Sequence, residues 1–218
     1  MERLTAADAR ELLLYVADRV IESKPYLTEM DRAIGDGDHG IGMALGMGKA
    51  RETLQTLEGC SDVYRLFCEA GMAMMMSMGG ASGVIFGTLF SGGAKGRSPS
   101  PALDCAAFTE LMAGGLGAVQ RRGGAHVGDK TMVDALQPAV EAMEAFPGKD
   151  FCGLLSAAEE AARAGAESTR NLVARFGRAK SLGERALGHM DAGAASTHII
   201  FRAMRDFCVR RGGEEDGK

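Results

Sequence analysis

Three carboxylates and three glycines fall within ten residues of this chain, in Asp31-Arg-Ala-Ile-Gly35-Asp36-Gly37-Asp38-His39-Gly40. Glycine on both sides of Asp36 lets the backbone turn tightly enough to aim several carboxylate oxygens at one centre, the donor set of magnesium, manganese and calcium. Magnesium seldom takes an all-protein cage and prefers one or two carboxylates with waters and substrate phosphates, so Asp31, Asp36 and Asp38 suggest a nucleotide held through metal. The same stretch also suits an acidic, solvent-exposed turn capping the helix that follows. His39 likewise has two readings, an ordinary neighbour of a helix start or a catalytic base.

Three familiar motifs fail here. Gly35-Asp-Gly37-Asp-His-Gly40 has dinucleotide-fingerprint spacing, but residues 27–34 read as helix rather than strand, and its carboxylates would repel a pyrophosphate. A calcium loop starting at Asp36 would need a bidentate glutamate where Met47 stands, and Gly46-Met-Gly-Lys49-Ala50 lacks the spacing and hydroxyl of a P-loop.

The elements that must carry these residues read as helices. Leu12, Leu13, Val16, Val20 and Ile21 recur at helical spacing over 6–23, and Pro25 ends that run. A short helix over 25–34 would put Asp31 on its last turn, with Asp36 and Asp38 on the loop beyond. Further helices are expected over 40–57, 62–78, 82–94, 104–120, 131–146 and 150–176, with a last one ending near Arg210. No strand is expected. Glycines 42, 46 and 48 weaken the third helix and imply close approach by a ligand or a neighbouring helix. Four glycine-rich loops, near 35–40, 79–83, 123–128 and 177–193, alternate with the helices. If those loops meet at one end of a bundle, metal ligands, a free helix start at Ser82 and arginines would converge there, which suits a nucleoside di- or triphosphate.

The 218 residues, 46% of them apolar, can bury one sizeable core, so one domain over 1–211 with a frayed polar tail at 212–218 is expected. A formal charge of −4, three tyrosines and no tryptophan disfavour nucleic acid. Five scattered cysteines without a C-x-x-C read as reduced thiols in a cytoplasmic protein, and the amino terminus opens without a signal peptide. The uncharged run 70–94 is long enough to span a membrane, but its glycine break at 79–83 favours two buried helices instead. Met72, Met74, Met75, Met76 and Met78 read as core filling or as the wall of a purine pocket.

Four blocks, Ala33-Ile-Gly-Asp-Gly-Asp-His-Gly40, Gly79-Gly-Ala-Ser-Gly83 with Phe86-Gly-Thr88, Gly128-Asp-Lys-Thr-Met132-Val-Asp-Ala135, and Gly183-Glu-Arg-Ala-Leu-Gly-His189-Met-Asp191, resemble, in order, the signatures of the dihydroxyacetone kinase nucleotide-binding subunit, subunit L. The resemblance implies an all-α fold, a closed barrel of about eight antiparallel amphipathic helices with ADP or ATP and two magnesium ions at one end. It implies Asp31, Asp36 and Asp38 as metal ligands. It places His39, Gly40, Ile41 and Gly42 by the phosphates, Ala81 and Ser82 at the next helix start, Gly123, Thr131 and Met132 along the nucleotide, and Arg178, Asp191, Ala192 and Gly193 closing the site. It implies no base on this chain, and as partners a subunit K that holds the ketose covalently and a phosphohistidine subunit M that restores the phosphoryl group from phosphoenolpyruvate, with a homodimer left open. Ile41-Gly42 stands where the family commonly has Thr-Asn, Lys180-Ser181 where it has Ser-Tyr, and Ala192 where it has Pro. These departures keep two alternatives in view, an ATP-dependent kinase for dihydroxyacetone or a tetrulose, and a nucleotide-sensing adaptor.

Overall fold

The computed structural model describes residues 1–215. Among the described residues nine α-helices follow one another: α1 (Ala6–Glu22), α2 (Lys24–Ile34), α3 (His39–Thr56), α4 (Val63–Ser77), α5 (Gly80–Gly92), α6 (Cys105–Gly123), α7 (Val133–Ala145), α8 (Phe151–Ser168) and α9 (Ala192–Glu215). Against the expectation of no strand, β1 (Leu4–Thr5) and β2 (Ala102–Leu103) form a two-residue antiparallel pair, too short to leave an alternating pattern in sequence.

Helix starts divide into two kinds. At the β-paired end the capping residues use their side chains: Thr5 and Asp8 form a reciprocal box on α1, Asp62 accepts from Tyr64 N–H, Asp104 from Ala107 N–H and Asp150 from Gly153 N–H. At the opposite end α3 and α5 start without a side-chain cap. Asp38 occupies the capping position of α3, yet its carboxylate does not cap.

α1 packs against α3 and α9, and between these the successive pairs α3–α4, α4–α5, α5–α6, α6–α7, α7–α8 and α8–α9 pack side by side. α2 lies on α3. One core runs through them all, with Phe67, Phe108 and Phe151 packed edge-on at 6.1 and 5.5 Å between ring centroids. Glycine lets several helices meet backbone to backbone. A Cβ on Gly165 of α8 would lie 2.1 Å from the Asp134 carbonyl oxygen of α7, the acceptor that Pro138 four residues on cannot serve.

Several expected boundaries move. The run 150–176 stops as α-helix at Ser168, continues as a 3₁₀ turn over Thr169–Asn171 and opens into a loop with a second 3₁₀ stretch at Arg178–Ala186. α9 continues past Arg210 to Glu215, so the expected tail contributes 212–215 to the helix, while 216–218 lie outside the described residues. The 70–94 run breaks at Met78 and Gly79, which are extended, and at Gly80, with φ of +70°. No described helix is long and apolar enough to cross a membrane. The methionines are only partly core: Met74 and Met78 are buried, whereas Met72 and Met76 sit on the outer face of α4, 51% and 84% exposed. Gly46 does admit a neighbour, since a Cβ there would lie 2.2 Å from Met78 Sδ, but nothing lies within 4 Å of one on Gly48.

Candidate metal and phosphate site

The glycine-rich loops at the uncapped end surround a cavity of about 330 Å³. Asp31 projects from the last turn of α2, and Asp36 and Asp38 from the loop to α3. One carboxylate oxygen of each lies within 4.8 Å of those of the other two. Gly35 makes room for this, because a Cβ there would stand 2.3 Å from Asp31 Oδ1. Asp31 also accepts from His39 N–H at 3.2 Å, which ties the triad to the start of α3. Arg178 Nε meets Asp36 Oδ2 at 2.5 Å from the outer side.

Loss of water raises the Asp38 carboxyl above the ordinary carboxylate range, the charges of Asp36 and Asp31 push the same way, and Arg178 opposes them. Three converging hard oxygens whose mutual repulsion a cation would relieve fit magnesium or manganese.

His39 is buried, with Nε2 2.8 Å from Ser196 Oγ on α9, a further hydrogen bond to the Ala192 backbone and Phe86 beside its ring. Burial holds its pKa below the ordinary histidine value, against the opposing charge of Asp31. The imidazole is thus committed to protein partners on Ser196 and Ala192.

On the far wall, Asp134 accepts from Gly128 N–H at 2.6 Å and Thr131 N–H at 2.7 Å, fixing the loop that presents Thr131 and Met132. Asp191 accepts from Ala194 N–H at 2.8 Å, and burial pushes its carboxyl up to about 6 with Lys130 opposing. A second cleft of about 410 Å³, lined by Val84, Ile85, Val119, Gly123 and Val133, adjoins the first across Ala81, Thr131, Met132 and Phe176.

Of the residues anticipated from sequence, Asp31, Asp36, Asp38, His39, Ala81, Ser82, Thr131, Met132, Arg178, Asp191, Ala192 and Gly193 line the first cavity, and Gly123 the adjoining cleft. Gly40, Ile41 and Gly42 line neither. A Cβ on Gly40 would lie 2.4 Å from Thr28 Oγ1 of α2, Ile41 is 51% exposed, and Gly42 faces Met78. Lys180 is exposed and also stands outside the lining. The α5 start brings Gly79 and Gly80 to the cavity, two residues ahead of the anticipated start at Ser82. The methionines of α4 line neither of these two spaces. Sequence reasoning missed Phe176, Lys130 and Ser196. None of the three carried a signal of its own in the sequence.

Residues 33–206 match the family model described as the DAK2 domain. The chain is 38% identical over 187 residues to the ADP-binding subunit DhaL of PEP-dependent dihydroxyacetone kinase 1 from Listeria innocua, covering 86% of this chain and 89% of that one. It is 37% identical over 181 residues to the corresponding subunit of Escherichia coli, covering 82% and 86%. The dihydroxyacetone kinase of C. freundii, solved in complex with AMP-PNP and Mg2+, aligns with a TM-score of 0.72 and 29% identity over 92% of this chain, which spans 34% of that longer protein.

Proposed function

The chain belongs to the DAK2-domain family, and from that premise we propose that it is the nucleotide-carrying subunit of a dihydroxyacetone kinase. In this reading it holds ADP or ATP with two magnesium ions and passes the phosphoryl group to dihydroxyacetone bound on a partner subunit K. A phosphohistidine subunit M, supplied from phosphoenolpyruvate, then recharges it. The observation that carries the reading is the convergence of the aspartate triad and the uncapped start of α5 on one cavity.

The residues take complementary parts. Asp31, Asp36 and Asp38 would hold magnesium, which when bound neutralises charge on the transferred phosphoryl group. The free N–H groups at Ala81 and Ser82 suit phosphate oxygens. Arg178 adds a cation on the solvent side, and the apolar cleft beside Ile85, Gly123 and Met132 suits a purine. Asp191, Ala192 and Gly193 form the wall below. No general base on this chain is needed, in keeping with the hydrogen bonds that hold His39. The succession of helix pairs returning from α9 to α1 supports a closed barrel of eight helices, with α2 outside it as the carrier of Asp31. Five unpaired thiols suit the cytoplasm.

The Ile41-Gly42 departure does not favour the ATP-dependent or adaptor alternatives, because neither residue lines the cavity. The test is Asp36→Asn in the protein reconstituted with subunits K and M, phosphoenolpyruvate and dihydroxyacetone. Phosphorylation should fall by at least about 100-fold, as expected when an electrostatic anchor of the transition state is lost. Undiminished turnover would refute the assignment.

A further inference from the structure

The cavity is roofed by residues 172–187, a loop with its own small apolar cluster of Ala174, Ala179, Leu182 and Ala186 on Ile34 of α2, separate from the main core. It brings Phe176, Gly177 and Arg178 to the cavity. Its two ends come together at a neck. Gly188 N–H donates to the Arg170 carbonyl at 2.7 Å, Arg170 Nη1 to the Gly188 carbonyl at 3.0 Å, and Asp191 N–H to Thr169 Oγ1 at 3.0 Å.

A lysine from another segment enters that neck. Lys130 is 1% exposed, and its Nζ donates to the carbonyls of Thr169 and His189, both at 2.5 Å. These carbonyls lie at the end of α8 and just before α9, one on each side of the neck. Lys130 adopts φ of +58°, the only non-glycine among the described residues with positive φ. That conformation is unfavourable for an L-residue and persists only where the surroundings impose it. An apolar side chain here would leave both carbonyls, that of Thr169 buried and that of His189 part-buried, without this donor.

We infer that Lys130 is a positioning residue that pins the neck of the 172–187 lid to the start of α7. It fixes the lid residues Phe176 and Arg178 relative to the Thr131–Met132 wall next to it, and so sets how long a bound nucleotide is retained. The pin itself follows from geometry alone, whereas its effect on retention rests on the nucleotide reading proposed above.

The experiment compares ligand-free wild type, Lys130→Met and Lys130→Arg by limited trypsin digestion, reading cuts at Arg175, Arg178, Lys180 and Arg185 in the lid against cuts elsewhere. In Lys130→Met the lid should be cut at least about tenfold faster with other sites and helical content unchanged, and preloaded ADP should leave at least about tenfold faster. Lys130→Arg, which keeps a cationic donor, should recover most of both. Lid cleavage at the wild-type rate, or cleavage raised evenly along the chain, would overturn the pin. Fast lid cleavage in a protein that never binds ADP would uphold the pin and remove the nucleotide reading alone. Should Lys130→Met not fold, hydrogen exchange in the wild type decides. The amides of Gly188 and Asp191 should open together with Leu136 in α7, and exchange as rapid as that of Gly183 within the lid would refute the inference.

Discussion

Asp38 has the residue type of a helix cap and stands at a cap position, yet its carboxylate joins Asp31 and Asp36 instead of the N–H groups of α3. That departure suits the metal-site reading better than a capping turn, and sequence could not decide it, because either geometry fits Gly35-Asp-Gly-Asp. The triad residues themselves were readable, since glycine and aspartate at that spacing have few uses. Lys130 and Phe176 were not, because a lysine in a polar loop reads as solvent-facing and an isolated phenylalanine beside Gly177 as ordinary punctuation. Asp191 offers a prediction at this scale. Its folded pKa of about 6 lies above the ordinary 3.8, so the folded chain binds the proton more tightly than the unfolded chain does. The stability from this group is complete below about pH 4 and is lost as pH rises through about 6. Asp191→Asn keeps an oxygen for Ala194 N–H and removes that loss. Urea unfolding of the ligand-free variant should therefore gain on wild type between pH 4 and 7, by on the order of 2 kcal/mol.

Helices were legible wherever an apolar stripe met a clear boundary, as at Pro25 after α1 or the capping Asp104 before α6. The alanine-rich run beyond 150 had no such stop, and its end is set by a tertiary contact, the capture of the Thr169 carbonyl by Lys130. The glycines of α3 looked alike in sequence and differ in the fold. Gly40 lies against the α2 backbone, where a Cβ would stand 2.5 Å from the Lys24 carbonyl oxygen and 2.6 Å from Thr28 N, while one on Gly48 would meet nothing within 4 Å. Gly40→Ala should force α2 and α3 apart, lowering stability by about 2–3 kcal/mol. It should also weaken magnesium binding, because Asp31 and Asp38 ride on these two helices. Gly48→Ala should instead stabilise by about 0.5–1 kcal/mol through helix propensity. Thermal unfolding with and without magnesium checks both, and equal effects would contradict the packing described.

For the molecule as a whole, the meeting of the glycine loops at one end was foreseeable from their alternation with helices. The return of α9 to α1 was not, since nothing in either sequence names the other as neighbour. Neither was the β-paired end, whose strands are two residues long. A site assembled from four loops should stabilise everything that positions it once filled. Magnesium with ADP at about a hundredfold excess over Kd should add about 2.7 kcal/mol, raising Tm by roughly 5–10 °C, and EDTA should reverse the gain. An unmoved Tm would argue against a nucleotide in this cavity. The paired end also has a consequence in time. During synthesis Leu4 must wait for Leu103, Met1 for Phe151 and α1 for α9. At about 5–20 residues per second, the flank of α1 that α9 covers waits on the order of ten seconds or more after α1 is made, although α3 covers the other flank early. Until α9 is made, that flank of α1 is the apolar surface that a holding chaperone would grip.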